Sequence, residues 1–193
     1  MKTRPILFNG QMVAAILDGT KTQTRRPIKH HPIIGYPEDW CGNQDSVVRT
    51  CGSVDRHCAI GMVGDRLWVR ETHTIVSAYG DDRRGRWSVW AGLPFTISQD
   101  GTQAAYYRQG FDRSPPSLWR PSIHMPRWAS RITLAIVGVT AERLLSIDDD
   151  GARAEGFVDR DAFEDTWRAI YGDGSWDHNP WVWVIGFRRV ELT

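Results

Sequence analysis

The chain has 193 residues, of which 41% are hydrophobic and 24% charged, and its formal net charge is +1. This length suits one domain with insertions, and the balanced charge argues against a protein that coats DNA while still permitting a pocket for one nucleotide. No stretch approaches the roughly 18 apolar residues of a membrane span, and the amino terminus lacks an apolar signal region, so we expect a cytoplasmic protein outside the membrane.

The first elements predicted along the chain are a strand over residues 4–8 and a short amphipathic helix over 11–18. The helix is indicated by apolar residues that recur at helical spacing. Gly19 is the expected helix stop, because glycine adopts the left-handed conformation of this position without strain. From Thr22 the side chains alternate in an extended segment, which Pro27 ends.

The middle of the chain predicts strands separated by long irregular segments. Residues 29–64 are rich in Gly, Pro, Asp and Asn and are typical of a loop, and the stretch 64–72 (GDRLWVRET) predicts a turn followed by a strand. Residues 77–101 are polar and Gly-rich, with a candidate hairpin around RWSVWAG, and 103–108 is a short strand candidate. The segment 111–130 contains four prolines and two tryptophans. Its composition predicts an irregular loop packed on the body of the domain.

The last third of the chain predicts two strands and two helices. Residues 130–147 favour one long or two short strands, and 148–157 (DDDGARAEGF) predicts a helix that begins with acids and ends at Gly156. An amphipathic helix is predicted over 161–172, and a closing strand over 181–192. The elements lack βαβ alternation, which favours an α+β domain built around a small mixed barrel.

Three separated segments resemble, in order, the elements of the ASCH domain. They are ILDGTKTQTRR (16–26), GDRLWVRE (64–71) and DDDGARAEGF…WVWVIGF (148–187), and PSIHMPRWASRI is a further family-like stretch. The chain is most similar to the larger, Trp-rich ASCH proteins of phages and prophages. This resemblance implies a single PUA-like mixed β-barrel over the whole chain, with short flanking helices. Two long loop insertions are then expected at about 29–63 and 77–127.

The resemblance also implies a set of site residues, since some small ASCH proteins are N4-acetylcytidine amidohydrolases. Their working residues are a Lys and a Thr after the first helix and a Glu far downstream, which match Lys21, Thr24 and Glu155 here. Arg26 matches a basic residue of the same strand, and Gly19 matches the turn glycine. This chain departs from those enzymes because it is about twice as long, and its insertions have no counterpart in them.

These residue types suit amide hydrolysis, which needs a nucleophile, a proton carrier and oxyanion stabilisation. Thr24 offers a hydroxyl, and Lys21 accepts its proton if burial or the neighbouring Arg25 and Arg26 depress the lysine pKa. Glu155 can protonate the leaving amine or hold the substrate amide, and Arg26 can orient a carbonyl or phosphate. The alternative is a solvated edge strand in which these charges face water.

Further binding candidates lie on the strand after Gly64 and in the proline-rich loop. Glu71 is either half of an ion pair with Arg70 or a pocket acid, and Trp68 is either a core residue or a stacking platform. His124 is either buried with a hydrogen bond to backbone or an acid–base residue over the pocket. Contacts to a nucleotide are expected from Trp119, Arg120 and Arg127.

Three cysteines and a histidine, Cys41, Cys51, His57 and Cys58, fall within one predicted loop. Their spacings match no standard zinc knuckle or ribbon, so reduced thiols are expected and no cofactor is predicted. A structural zinc ion holding the insertion together is the alternative.

The expected ligand is a nucleoside, a nucleotide or a segment of single-stranded RNA. The sequence contains no P-loop, no GxGxxG after a strand, no GxSxG and no HExxH, which disfavours nucleotide-driven motors, dehydrogenases, typical esterases and zincins. Three activities stay open: an amidohydrolase acting on an N-acylated base, a non-catalytic reader of RNA or of a modified base, and a ribonuclease.

Overall fold

The structure, a computed structural model, describes residues 1–28, 58–77, 90 and 92–190, together with the backbone of Val47 and Val48. Within these residues the chain forms two β-sheets and three α-helices, which confirms the predicted α+β class. Among the helices described, none is sufficiently long and apolar to span a membrane.

The strands are β1 (Thr3–Leu7), β2 (Gln23–Pro27), β3 (Val47–Val48), β4 (Arg66–Arg70), β5 (His73–Ser77), β6 (Phe95–Ile97), β7 (Gln103–Tyr107), β8 (Thr133–Arg143) and β9 (Trp181–Val190). The helices are α1 (Gly10–Leu17), α2 (Asp149–Ala154) and α3 (Arg160–Tyr171). Short 3-10 turns lie at Ser122–His124, Arg127–Ala129, Leu144–Ser146 and Asp173–Ser175.

The larger sheet has the strand order β1-β4-β8-β9-β2, and β3 pairs with β8. Strands β1 and β4 are parallel, whereas the pairs β4–β8, β8–β9 and β9–β2 are antiparallel. The two edge strands β1 and β2 do not pair with each other in the part of the chain that is described. The sheet is therefore open along this line, and the expected closed barrel is not seen.

The core lies on the inner face of this sheet, where the three helices pack. In β4, Leu67 and Val69 are buried and alternate with Arg66, Trp68 and Arg70, as a half-buried strand requires. Helix α1 contributes its apolar side to the same cluster, and α3 contributes its aromatic face. The burial of this face stabilises the short helices, which are too short to be stable alone.

The smaller sheet has the order β5-β7-β6 and is antiparallel throughout. It carries a second apolar cluster that includes Ala105, Tyr107, Met125 and Ala129. Met125 and Ala129 belong to the proline-rich segment, whose backbone pairs with β5 through the hydrogen bonds between His73 and Arg120. The prediction of an irregular but packed loop over 111–130 is thus confirmed.

Most predicted elements are present, with shifts of a few residues at their ends. Strands β5 and β6 were not predicted: β6 lies inside a polar, Gly-rich stretch that favoured loop, and β5 lies almost wholly between that stretch and the strand predicted within 64–72. Strand β3 lies within the predicted loop 29–64 and corrects that prediction locally. Residues 130–147 form one long strand with a bulge between Ile136 and Gly138. The candidate hairpin around RWSVWAG lies almost wholly outside the described residues.

Gly156, near the end of α2, lies in close contact with α1 and with the turn after α1 that carries Lys21. Its φ is +88°, and a Cβ placed there would lie 2.7 Å from Ala15 Cβ and 3.2 Å from Lys21 Cβ. Both distances are shorter than ordinary van der Waals contact. Gly156 therefore fixes the approach of the helix end to the segment that carries Lys21.

Replacing Gly156 by Ala is expected to lower the free energy of unfolding by about 2–4 kcal/mol, since left-handed strain and overpacking both act. Urea unfolding measures this loss. Gly64→Ala is the matched control, because Gly64 has a φ of +91° and no atom within 4 Å of the added Cβ. It is expected to lose only the backbone part, about 1–2 kcal/mol. Equal losses in the two variants would contradict the close-contact explanation.

Candidate functional site

The turn that carries Lys21 is fixed by backbone hydrogen bonds to two helices. Gly19 has a φ of +86°, as expected for the residue that ends α1, and it is exposed. Beyond it, Lys21 N donates to Ala15 O at 2.9 Å, and Thr22 N donates to Ala154 O at 2.8 Å. These bonds place the start of β2 directly against the end of α2, where Glu155 follows.

Lys21 and Glu155 form a buried ion pair. Lys21 Nζ lies 2.8 Å from Glu155 Oε2 and 2.7 Å from the Glu155 carbonyl oxygen. The two side chains are 0% and 2% exposed, so water does not screen the pair. Burial lowers the pKa of Lys21, and the negative charge and hydrogen bond of Glu155 oppose that shift.

Arg25 extends this pair into a four-residue network. Its Nη1 lies 3.4 Å from Glu155 Oε1, and its Nη2 lies 3.4 Å from Glu142 Oε2 on β8. Two cations thus face two carboxylates, so the buried network is electrically balanced. Arg25 holds the Glu155 carboxylate in place by contacting its second oxygen, Oε1. Arg25 therefore has a structural role and is not a solvated surface charge.

Arg26 points to the other side of β2, where it bridges the two edge strands of the open sheet. Its Nη2 donates to Leu7 O at 2.6 Å, and its Nη1 donates to the Tyr171 hydroxyl at 3.4 Å. The Arg26 guanidinium carbon lies 5.5 Å from the centroid of the Phe8 ring, and Lys21 Nζ lies 5.4 Å from the same centroid. Phe8 therefore contacts both basic residues.

Thr24 lies in β2, between Lys21 and Arg26 in the sequence. It is opposite Ile185 of β9 and is 2% exposed. Its hydroxyl has no hydrogen-bond partner among the residues described. The structure thus brings Lys21 and Glu155 into contact, and among the described residues Thr24 Oγ makes no hydrogen bond to either of them.

A cavity of about 610 Å³ occupies the gap between β1 and β2. Three arginines, Arg4, Arg26 and Arg70, line it, together with Tyr171 and apolar residues of β1 and of the segment 59–60. No carboxylate is among the described residues that line this cavity. Lys21, Thr24 and Glu155 are not among them either, so the ion pair lies beside the cavity rather than in its wall.

A second group of predicted residues gathers on the outer face of β4. The guanidinium carbons of Arg70 and Arg127 lie 5.4 and 5.6 Å from the centroid of the Trp68 ring, which is half-buried. Arg120 and Arg127 are exposed. Trp119 is half-buried against Phe111, at a centroid distance of 5.1 Å.

His124 is exposed, which corrects the expectation of a buried histidine at this position. The histidine that fits that description is His73, which is 0% exposed and whose Nδ1 lies 3.1 Å from Glu71 O. Burial lowers the pKa of His73, and the nearby charges of Arg120 and Arg70 act in the same direction. The Nε2 atom of His73 is buried and has no hydrogen-bond partner among the described residues.

Glu71 forms an ion pair, but its partner is Arg131 rather than the neighbouring Arg70. The two side chains make a bidentate contact, with both N–O distances equal to 2.9 Å. Glu71 is 2% exposed, and burial raises its pKa while Arg131 opposes the shift. Glu71 also lines a smaller cavity of about 300 Å³ that does not share a residue with the larger one.

Sequence reasoning missed the arginines that line the larger cavity apart from Arg26. Arg70 could have been found, since it alternates with Leu67 and Val69 and must share the outer face of β4 with Trp68. Arg4 and Tyr171 carry no such local signal, because they reach the cavity from different elements. Phe8 was predicted only as the end of a strand.

The zinc alternative falls largely on residues that are not described. Cys41, Cys51 and His57 lie outside the described residues, and Cys58 is buried in the main core. Within the described part of the chain, no group of three or more His, Cys, Asp or Glu side chains is arranged to hold a metal ion.

Comparison of the chain with protein-family models, with curated proteins and with solved structures finds no match. The functional argument therefore depends on the chemistry and geometry of the described side chains. Two features carry it: the arginine-lined cavity and the buried lysine beside it.

Proposed function

We propose that this protein binds a nucleotide in the cavity between β1 and β2. The observation that carries the proposal is the set of three guanidinium groups in the cavity wall, of which only that of Arg4 contacts a carboxylate among the described residues, Asp65 at 3.5 Å, and no carboxylate is among the described lining residues. Guanidinium groups bind phosphate with two parallel hydrogen bonds, and apolar walls suit a base or a ribose. A cavity of about 610 Å³ is within the range that accommodates small ligands.

The open sheet also fits a PUA-like barrel, which we propose as the fold. Strands β1 and β2 are the two edges of the sheet, and the Arg26 side chain of β2 bridges them by donating to Leu7 O of β1 at 2.6 Å. The cavity then lies in the opening of the barrel. The resemblance of residues 16–26, 64–71 and 148–187 to ASCH elements supports the same proposal.

Isothermal titration with cytidine 5′-monophosphate and with cytidine tests the binding proposal. The nucleotide is expected to bind at least tenfold more tightly than the nucleoside, and Arg26→Gln is expected to remove most of that difference, because a hydrogen bond to a charged group contributes about 1.5–3 kcal/mol. Arg153→Gln is the matched control, since Arg153 is exposed and paired with Asp150. Equal affinities for the two ligands, or no binding of either, would contradict the proposal.

Hydrolysis of an N-acylated base is a second candidate function, and the buried Lys21 favours it. A lowered pKa increases the fraction of Lys21 that is a neutral amine at a given pH, and only the neutral amine can accept a proton. In the proposed step, Thr24 Oγ bonds to the acyl carbon and its proton passes to Lys21 Nζ. The C–N bond then breaks, and the ammonium returns the proton to the amine. Water hydrolyses the resulting ester and releases the carboxylic acid and Thr24.

The position of Glu155 gives it a definite part in this step. Its Oε2 atom lies 2.8 Å from Lys21 Nζ, so its negative charge stabilises the ammonium that forms when Lys21 accepts the proton. The pair is 0–2% exposed and is not among the described residues that line the cavity, so an acyl group bound in the cavity would have to reach past the lining to the pair. A non-catalytic reader does not need its ligand to reach Lys21 and Glu155, and in this it differs from the hydrolase.

Conversion of N4-acetylcytidine to cytidine, followed by chromatography, tests the hydrolase candidate. Thr24→Val and Lys21→Met are each expected to lower kcat at least about 100-fold, since each removes a reacting group. Thr20→Val is the control, because Thr20 is exposed in the same turn and, among the described residues, hydrogen-bonds only to Ala15 O and Asp18. Nucleotide binding without any turnover would support the non-catalytic reader instead of the hydrolase. Turnover that survives both variants would show that Thr24 and Lys21 are not the catalytic residues.

A further inference from the structure

Trp68 and two arginines form a cationic group on the outer face of β4. Leu67 and Val69 point into the core, so Trp68 and Arg70 point outward. Arg70 comes from the same strand and Arg127 from the proline-rich loop, and their guanidinium carbons lie within 5.6 Å of the Trp68 ring centroid. An indole ring attracts a guanidinium group and orients the guanidinium plane. The N–H groups at the edge of the guanidinium then stay available to donate hydrogen bonds.

The charges of this group are not neutralised by the protein. Within the described residues, neither Arg70 nor Arg127 contacts a carboxylate, and Arg127 makes no hydrogen bond through its guanidinium. Arg70 donates from Nη2 to the Ile123 carbonyl oxygen, while its Nε is buried without a hydrogen-bond partner. Arg120, which is exposed on the same loop, adds a further positive charge near His73. Clustered guanidinium groups without acidic partners favour an anionic ligand.

Arg70 connects this outer group to the arginine-lined cavity. It lines the cavity with Arg4 and Arg26, and it also lies over Trp68. Arg127 does not line the cavity among the residues described. The positively charged side chains therefore extend from the cavity wall through Arg70 to the exposed Arg127.

We infer that Trp68, Arg70 and Arg127 bind the phosphodiester backbone of a single-stranded nucleic acid, one nucleotide of which occupies the cavity. The inference rests on the proposed function and adds a ligand class to it, a strand rather than a free nucleotide. The cavity arginines hold the nucleotide inside, and Arg127 contacts the next phosphate along the strand. Such a backbone contact is independent of base sequence and depends on salt.

Fluorescence anisotropy with a labelled oligouridylate of six nucleotides tests this inference, with cytidine 5′-monophosphate titrated in parallel. The strand is expected to bind at least tenfold more tightly than the mononucleotide. Arg127→Gln is expected to weaken strand binding several-fold and to reduce the slope of log affinity against log salt by about 0.7, the contribution of one phosphate contact in a single strand. Its affinity for the mononucleotide stays unchanged.

Arg113→Gln is the matched control, because Arg113 is also an exposed arginine of the same loop but is paired with Asp112. Trp68→Leu keeps every charge, and it is expected to weaken strand binding because the two guanidinium groups lose the ring that orients them. Mononucleotide binding with no gain for the strand, or an unchanged salt slope in Arg127→Gln, overturns the inference and leaves the proposed function standing. Failure of the native protein to bind the mononucleotide overturns both.

Discussion

Replacing Glu155 with Gln is expected to lower the free energy of unfolding at neutral pH by about 3–5 kcal/mol, because Lys21 then loses the only carboxylate that contacts it among the described residues. The ammonium is 0% exposed, so water cannot replace the lost charge. We expect Lys21 to lose its proton more readily in the variant, because burial already lowers its pKa and the opposing effect of Glu155 is then absent. Urea unfolding at pH 7 measures the loss.

The pH dependence of this loss has a definite sign. In the Glu155→Gln protein the Lys21 pKa falls further, so between that value and the ordinary lysine value near 10.5 the unfolded chain binds one proton more than the native protein. Stability then rises with pH across this window. Unfolding measured from pH 7 to pH 10 is therefore expected to show recovery of the variant relative to the native protein.

The lysine content allows a direct measurement of the same shift. The sequence has three lysines, Lys2, Lys21 and Lys29, so labelled lysine side chains give few NMR signals. The Lys21 signal is expected to titrate below the ordinary lysine value near 10.5, and at lower pH again in Glu155→Gln. The double variant Lys21→Met/Glu155→Gln is expected to be more stable than Glu155→Gln alone, because no unpaired charge is then buried. Additive losses, or an unshifted Lys21 signal, would contradict this account.

The positions of the elements around this pair were predictable from local patterns. Apolar spacing indicated α1, Gly19 indicated its end, and the acids before Gly156 indicated α2. The contact between Lys21 and Glu155, which are 134 residues apart, was expected only through the family resemblance. Local pattern alone gave Lys21 no partner, because a salt bridge of that separation depends on how α2 packs against the turn.

Glu71 shows where local reasoning gave the wrong partner. Adjacent residues on a strand point to opposite faces, so Arg70, next in sequence to Glu71, is on the wrong side to pair with it. The true partner Arg131 precedes β8, which pairs with β4 in an antiparallel register. That register is a tertiary property, and neither strand shows it in its own composition. The open edge between β1 and β2 is likewise a consequence of long-range pairing.

Replacing Arg131 with Met is expected to lower the free energy of unfolding by about 3–5 kcal/mol at pH 7, because it leaves the buried Glu71 carboxylate without its bidentate partner. Burial raises the pKa of Glu71 in the native protein, and loss of Arg131 raises it further. Above the ordinary glutamate value near 4.5 and below that raised value, the folded variant binds one proton more than the unfolded chain. Stability therefore falls as pH rises through this window.

The deficit of Arg131→Met is thus expected to be smallest near pH 4.5 and largest at pH 7, the opposite direction from the Lys21 case. Urea unfolding at the two pH values measures it. Adding Glu71→Gln to Arg131→Met removes the titrating group, so the double variant should regain stability at pH 7 and lose the extra pH dependence. A deficit that does not change with pH would mean that Arg131 acts mainly through its packing on the Tyr107 ring, whose centroid lies 4.0 Å from the guanidinium carbon. In that case Arg131→Lys, which keeps the charge but not the planar stack, would lose nearly as much stability as Arg131→Met.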